Sequence, residues 1–163
     1  MDELGRVVIP KEIRRTLHLK EGEELEIFAQ EEGLFLKKYS AMESLRDSAV
    51  EYVRVVERLV GNTVLVADRD HLLVGVGKDA AAEADKPLSA AVLAAMSKRK
   101  SLLLERVSLS EGGKTYPHAM ICPVVVHGDL FGAIVLGSGD VVGNRVQGVV
   151  EAACCLLAQE IGE

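Results

Sequence analysis

Residues 2–17 read DELGRVVIPKEIRRTL, and this stretch predicts a strand that passes directly into a helix. Gly5–Ile9 is a short run rich in β-branched side chains, which favour strands, and it ends at Pro10. Proline suits the first turn of a helix, because an N–H there would have no partner within the helix. We therefore expect a strand over Gly5–Ile9 and a helix over Lys11–Leu17.

The predicted helix carries basic side chains on its solvent side. Ile13 and Leu17 are four residues apart and share one face, which turns Arg14 and Arg15 away from the apolar side. Two guanidinium groups are thereby presented together to solvent. The whole basic cluster consists of Arg6, Lys11, Arg14 and Arg15. Taken alone, such a cluster is more often a solvated face than a binding site.

The next segment predicts a β-hairpin with apolar groups on both faces. Leu25–Ala29 and Leu34–Lys38 have the composition of two strands, and the turn Glu31–Gly33 joins them. Strand alternation places Ile27 on one face and Phe28 on the other. About forty residues do not usually bury enough surface to be stable alone. The segment therefore either forms an interlaced homodimer or packs on the rest of its own chain, and the composition leaves both open.

A helix is predicted to follow the hairpin. Ser40 and Glu43 have the spacing of a capping box, in which the hydroxyl accepts from a first-turn amide and the carboxylate reaches back. Apolar side chains then recur every three or four residues until Gly61 ends the pattern. We expect a linker helix over residues 41–61. It either pairs with its copy in a second subunit or packs in the core of its own chain.

Residues 62–163 predict a second domain of the α+β class. Its expected order is two strands, helical segments through Met96, three strands and a final helix, which suggests an antiparallel sheet with packed helices. Pro123 cannot donate to a ladder, so we expect it at an edge or a bulge. The triplet His127-Gly128-Asp129 predicts a tight hairpin turn.

Composition restricts the class of protein further. The chain has 163 residues, 48% of them hydrophobic, and a formal net charge of −6. No apolar run reaches the roughly 18 residues of a membrane span, and the N-terminus lacks a secretory signal, so we expect a cytoplasmic protein. The three cysteines, Cys122, Cys154 and Cys155, lack metal-ligand spacing and are expected to be reduced thiols. No metal and no cofactor are expected.

The first forty residues closely resemble the AbrB-type swapped-hairpin DNA-binding domains. The resemblance begins with the DELGRVVIPKEIRRTL stretch and continues through Leu25–Phe28 and Leu36–Tyr39 in the same order. Over its whole length the chain resembles sporulation regulators in which such a module precedes a GAF domain. The second part carries the resemblance more loosely, through the order of its elements and phrases such as Asp68-Arg69-Asp70.

The resemblance implies a fold and a set of DNA contacts. Two interleaved hairpins would form a small barrel dimer that presents arginines to the major groove and to the phosphate backbone. At the matching positions of this chain the implied DNA-binding residues are Arg6, Lys11, Arg14 and Arg15. Arginine can bond guanine edges or phosphates with two parallel hydrogen bonds, whereas lysine acts as a point charge.

One feature of the family is missing at the N-terminus. Family members carry a short basic strand before the Asp-Glu-Leu-Gly-Arg phrase, whereas this chain starts at Met1 with that strand absent. Either the start is assigned too late, or the module is truncated and binds DNA weakly or not at all. The sequence leaves both alternatives open.

These observations predict an AbrB-like module (1–40), a linker helix (41–61) and a GAF-like sensory domain (62–163). The resemblance implies a sequence-specific, nucleoid-associated regulator of late sporulation genes and not an enzyme. Its expected partners are double-stranded DNA, its own copies in a homotetramer, and an unknown small-molecule ligand of the second domain. Two alternatives remain: a GAF-fold thiol reductase that uses Cys122, Cys154 or Cys155, and a dimerisation module that does not bind DNA.

Overall fold

The computed structural model describes residues 2–163. The chain divides into two compact units, which we call the N-terminal unit, ending at Tyr39, and the C-terminal unit, from Ser40 to Glu163. Each unit has its own secondary structure, and each is described by itself. None of the helices between residues 2 and 163 is long and apolar enough to span a membrane.

The N-terminal unit consists of one short helix and a β-hairpin. Helix α1 covers Lys11–Thr16, strand β1 covers Leu25–Gln30 and strand β2 covers Gly33–Lys38. The two strands pair antiparallel, and their rings Phe28 and Phe35 stand opposite each other with centroids 6.2 Å apart. The predicted helix and hairpin are confirmed.

The strand predicted over Gly5–Ile9 is not formed within the single chain. The segment is irregular, and the side chain of Val8 is 86% exposed. A strand needs a neighbour for its backbone hydrogen bonds, and the hairpin strands β1 and β2 pair with each other. The composition of Gly5–Ile9 correctly indicates a propensity for strand. A strand also needs a neighbouring strand to pair with, and the described part of this chain does not supply one.

Two helices open the C-terminal unit. Helix α2 covers Ala41–Ser44 and helix α3 covers Arg46–Val60. The hydroxyl of Ser40 accepts a hydrogen bond from the backbone N–H of Glu43 at 3.1 Å, as the capping box predicts. The carboxylate of Glu43 instead binds the guanidinium of Arg46 at 2.8 Å, so only half of the box forms. Helix α3 ends at Gly61, whose φ of +73° is the left-handed conformation of a helix C-cap.

A five-stranded antiparallel sheet forms the centre of the C-terminal unit, in the order β4-β3-β7-β6-β5. The five strands are β3 (Thr63–Ala67), β4 (Leu72–Val76), β5 (Leu102–Ser108), β6 (Thr115–Val126) and β7 (Asp129–Ser138). The remaining helices are α4 (Ala80–Glu83), α5 (Ala90–Ser97) and α6 (Asn144–Gly162). The predicted α+β class, an antiparallel sheet with packed helices, is confirmed.

The sheet buries both of its faces in separate cores. Alternation along β3 sends Val64 and Val66 into the core beneath α3 and α6, and sends Leu65 and Ala67 into the core beneath α5. The first core contains the inward face of α3, namely Ala49, Val53 and Val56. The helix predicted as a linker is thus packed, along this face, in the core of its own unit.

The predicted turn and the predicted place of Pro123 are confirmed. His127 and Gly128 both have positive φ, and the flanking Val126 and Asp129 pair across the turn, which is the two-residue hairpin that suits twisted strands. Pro123 lies past Ile121, where the pairing of β6 with β5 ends, and just before a register shift. The missing N–H of proline therefore removes no hydrogen bond from that ladder.

Candidate nucleic-acid interface

Helix α1 places its arginines in its last turn. Pro10 precedes the helix with φ −55° and ψ 145°, and the six helical residues end with Arg14 and Arg15 close to the C-terminus. Cations are favourable there because the unpaired carbonyls carry partial negative charge. Both side chains are exposed.

The helix ends in a left-handed cap formed by a non-glycine residue. His18 has φ 55°, and its N–H donates to the carbonyl of Arg15 at 3.2 Å. The N–H of Leu19 donates to the carbonyl of Arg14 at 2.8 Å. These two hydrogen bonds are the Schellman pattern, which usually has glycine at the position of His18. The cap turns the chain sharply, so that the residues after it lie next to the helix.

The cap and the helix together form an open depression lined mainly by basic side chains. Its volume is about 380 Å³, and we call it the basic depression. Its lining consists of Lys11, Arg14, Arg15, His18, Leu19 and Lys20. All of these side chains except that of Leu19 are exposed. The depression therefore offers four fixed positive charges and one imidazole to a ligand in solvent.

The end of the basic depression is tied to the hairpin. The ammonium group of Lys38 donates to the carbonyl of His18 at 3.3 Å and lies 3.7 Å from a carboxylate oxygen of Glu23. The other carboxylate oxygen of Glu23 accepts from the backbone N–H of Lys20 at 2.9 Å. These contacts connect strand β2, the turn before β1 and the cap of α1, and so they fix where Lys20 lies.

Arg6 forms a different kind of contact. Its Nε lies 2.6 Å from Oδ2 of Asp2, while Oδ1 of Asp2 accepts from the backbone N–H groups of Leu4 and Arg6, both at 3.0 Å. The hydrogen bond from the Arg6 backbone is the main reason why the pKa of Asp2 lies below its usual value. Since the ion pair engages Nε, the two terminal nitrogens of Arg6 are left as donors for a further acceptor.

The structure brings together three of the four basic residues singled out in the sequence. Lys11, Arg14 and Arg15 line the basic depression, whereas Arg6 does not. His18 and Lys20 line it as well and were missed. Lys20 follows the predicted helix immediately, and its charge was a usable signal. The Schellman cap that brings Lys20 back towards the helix could not be predicted, because a histidine at that position does not indicate a left-handed turn.

Exposed apolar surface is the second feature of the N-terminal unit. Not one of the described residues 2–39 is buried. The exposed large apolar side chains include Leu4, Val7, Val8, Ile13, Leu17, Ile27, Phe28, Leu34, Phe35 and Leu36. Large exposed apolar patches are typical of interaction surfaces.

The C-terminal unit contains a buried polar cluster beneath the loop between β5 and β6. Glu83 is 2% exposed and accepts from the hydroxyl of Ser110 at 2.7 Å. Nearby, Lys114 binds Asp79 at 3.0 Å and lies over the ring of Tyr116, 5.1 Å from its centroid. Burial, followed by the charges of Asp79 and Glu83, raises the pKa of the Tyr116 phenol. Among residues 2–163, no group of three or more His, Cys, Asp or Glu side chains is arranged to hold a metal.

Family comparisons divide the chain near the boundary between its two units. Residues 44–162 match the family model "Stage V sporulation protein T C-terminal, transcription factor". Residues 2–44 match the model "Antidote-toxin recognition MazE, bacterial antitoxin".

Two proteins of Bacillus subtilis (strain 168) are similar in sequence. Stage V sporulation protein T is 38% identical over 167 aligned residues, which cover 99% of this chain and 94% of that protein. The transition state regulatory protein AbrB is 59% identical over 39 residues, which cover 24% of this chain and 41% of that protein. The first similarity extends over both units.

Solved structures resemble this chain in fold. The GAF-B domain of DevS from Mycobacterium smegmatis has a TM-score of 0.57 at 16% identity and covers 71% of this chain and 91% of that one. A type II free methionine-R-sulfoxide reductase from Thermoplasma acidophilum has a TM-score of 0.58 at 12% identity and covers 75% of this chain and 95% of that one. At these identities the likeness shows the fold alone, and that fold is GAF-like.

Proposed function

Since this chain belongs to the stage V sporulation protein T family, we propose that it is a DNA-binding regulator of transcription that acts on late sporulation genes. The N-terminal unit contacts the DNA, and the C-terminal unit assembles the oligomer and senses a small molecule. The proposal assigns no catalytic activity to either unit.

The basic depression is the observation that carries this proposal. The chain as a whole has a net charge of −6, so a non-specific attraction to DNA is not expected from its overall charge. Four cationic side chains nevertheless line one small exposed surface that contains no carboxylate. Phosphate groups are the natural ligands of such a surface, because each contact releases counterions from the DNA.

The side chains of the depression differ in what they can recognise. Arg14 and Arg15 each carry a planar fork of donors that fits a guanine edge or a phosphate. Lys11 and Lys20 act as point charges and suit the phosphate backbone. Arg6 can join them through its terminal nitrogens while Asp2 holds its Nε. We therefore assign Arg6, Lys11, Arg14 and Arg15 to DNA contact and add Lys20 to the phosphate contacts.

We propose that the N-terminal unit works as a homodimer. Its exposed apolar side chains and its irregular segment Gly5–Ile9 both lack what a second copy could provide, namely apolar contact and a strand neighbour. Interleaving two copies would bury the apolar side chains and give the segment Gly5–Ile9 a strand to pair with. A dimer also presents two basic depressions, which matches the two half-sites of DNA-binding dimers in general.

The C-terminal unit supplies the further contacts of a homotetramer in this proposal. Val55 and Leu59 on α3 and Leu156 on α6 are about half exposed, and α3 and α6 pack on the same face of the sheet. The sensory role belongs to the opposite face. There the buried polar cluster around Glu83 and Tyr116 offers the groups that a small polar ligand would contact.

Charge-matched variants of the full chain test the DNA contacts. We expect R14A/R15A to lose about 1 to 3 kcal/mol of binding free energy for each arginine that reads a base, measured by fluorescence anisotropy with promoter-derived duplexes. K98A/K100A is the control, because it removes the same charge from exposed positions of the C-terminal unit. Equal losses of affinity in both variants would mean that binding depends only on net charge, and that Arg14 and Arg15 do not contact the DNA.

A further inference from the structure

Two buried thiols of the C-terminal unit lie against each other between strand β6 and helix α6. Cys122 on β6 is 5% exposed and Cys154 on α6 is 4% exposed, and both belong to the same apolar core. The thiol of Cys154 donates to the carbonyl of Cys122 at 3.1 Å and to that of Pro123 at 3.3 Å. The side chain of Cys154 is thereby held over the backbone that carries Cys122.

A hydroxyl group approaches the Cys122 sulfur from the solvent side. Ser101 is exposed, and its Oγ donates to Sγ of Cys122 at 3.3 Å. Strand β5 begins to pair only at Leu102 opposite Ile121, so β6 has no β5 neighbour at Cys122. The Cys122 sulfur is therefore separated from solvent by the exposed Ser101 side chain that contacts it.

The surroundings divide the two thiols into an attacking and a resolving partner. A hydrogen bond from the Cys154 thiol to the Cys122 sulfur, in place of those to the two carbonyls, lowers the pKa of Cys122 against the opposing effect of burial, and the Ser101 hydroxyl lowers it further. The same contact, together with burial, raises the pKa of Cys154. The thiolate is the nucleophilic form of cysteine. Cys122 is therefore the more readily ionised thiol of the pair, and Cys154 is kept as a thiol beside it.

We propose that Cys122 and Cys154 form a reversible intrachain disulfide when the protein meets a hydroperoxide. The Cys122 thiolate attacks the terminal oxygen of the hydroperoxide, which breaks the O–O bond, gives a sulfenic acid and releases an alcohol or, from hydrogen peroxide, water. The thiol of Cys154 then attacks the sulfenic sulfur and loses its proton, and the hydroxyl leaves as water. Two thiols are oxidised and one hydroperoxide is reduced, and a low-molecular-weight thiol reverses the bond by exchange.

The covalent bond would fix α6 to strand β6 at Cys122. Cys155, the next residue on α6, is exposed and lies outside the pair. Leu156 is 47% exposed on the same helix. The oxidation site therefore lies beneath a helix that also carries exposed apolar surface, and a redox change there acts on the C-terminal unit without touching the basic depression.

Mass spectrometry of the native full chain tests the disulfide directly. The protein is treated with hydrogen peroxide, alkylated and digested with trypsin, which separates Cys122 (peptide 115–145) from Cys154 and Cys155 (peptide 146–163). We expect a linked pair of peptides, a loss of two hydrogen atoms from the chain, and a rate independent of protein concentration. The C155S variant is the control and should still form the link.

The resolving variant distinguishes the two chemical steps. In C154S the reaction should stop at the sulfenic acid of Cys122, which dimedone captures, while circular dichroism verifies that the variant is folded. The proposal fails if Cys122 and Cys154 remain alkylatable after Cys155 has been oxidised, or if the link forms only in denatured protein. It also fails if Cys122 proceeds to a sulfinic acid in the wild-type chain without linkage. None of these readouts depends on DNA binding, so the redox proposal and the proposed function can fail separately.

Discussion

The hydroxyl of Tyr116 is buried and forms no hydrogen bond of normal geometry with the described residues, although the nearby Asp79 carboxylate helps to raise its pKa. The ring lies against Gly137, where an added Cβ would come within 2.6 Å of it. An unpaired buried hydroxyl costs free energy because it loses water and gains no bond in return. The sequence does not reveal this cost, because a buried tyrosine hydroxyl with an acceptor beside it would stabilise the fold.

We expect Tyr116→Phe to raise the free energy of unfolding by about 1 kcal/mol, because it removes only the unpaired hydroxyl. The gain should grow above pH 10. The pKa of Tyr116 is raised in the folded state, so the unfolded chain loses this proton first and the wild-type protein loses stability as pH rises beyond the usual tyrosine value. Urea denaturation at two pH values measures both effects.

Tyr52→Phe is the matched comparison for this prediction. The Tyr52 hydroxyl donates to the carboxylate of Glu160, so the same chemical change removes a hydrogen bond and should not stabilise the protein. If Tyr116→Phe is destabilising to the same degree as Tyr52→Phe, the Tyr116 hydroxyl has a partner in solution and the assignment of an unpaired group is wrong.

At the scale of elements, helix α1 shows what local sequence can and cannot predict. Pro10 and the spacing of Ile13 and Leu17 are enough to predict the helix and the outward direction of its arginines. The cap is not predictable in this way, because His18 occupies a left-handed conformation that glycine normally fills. The segment Gly5–Ile9 is the opposite case, since its strand propensity is clear but a ladder requires a neighbouring strand.

The cap provides a prediction about the basic depression. His18→Val should weaken DNA binding and destabilise the unit, because a β-branched side chain in the left-handed region costs about 1 to 2 kcal/mol. His18→Gly adopts the same conformation without strain and should retain more DNA affinity than His18→Val, although it removes the imidazole from the depression. Anisotropy titrations of both variants provide the comparison. Equal loss in both would mean that the imidazole itself contacts DNA and that the cap geometry is not the determinant.

At the scale of the whole molecule, the class of fold was predictable and the assembly was not. The antiparallel sheet with packed helices follows from alternation and turn residues such as Gly128, and Pro123 lies at the predicted interruption of pairing. How the apolar surface of the N-terminal unit becomes covered is a property of more than one chain. The sequence therefore left dimerisation and packing on the same chain equally open.

Val8 tests the dimer that we propose for the N-terminal unit. Its side chain is 86% exposed in the single chain, and interleaving two copies would cover it. Val8→Asp should raise the dissociation constant of the N-terminal contact at least tenfold, about 1.4 kcal/mol, because a carboxylate would have to be buried. Sedimentation equilibrium measures the change. Val141→Asp, at a position 76% exposed in the C-terminal unit, is the control and should leave assembly unchanged.

The measurement that tests the central claim most directly is the affinity of the full chain for a promoter-derived duplex as the salt concentration is raised. The account predicts specific binding. The logarithm of the association constant should fall linearly with the logarithm of the salt concentration, with a slope of about −0.9 for each phosphate contacted. Binding should be weaker to a duplex of unrelated sequence, with a similar slope. Absence of binding at low salt, or an affinity that does not change with salt, would contradict the assignment of the basic depression to DNA.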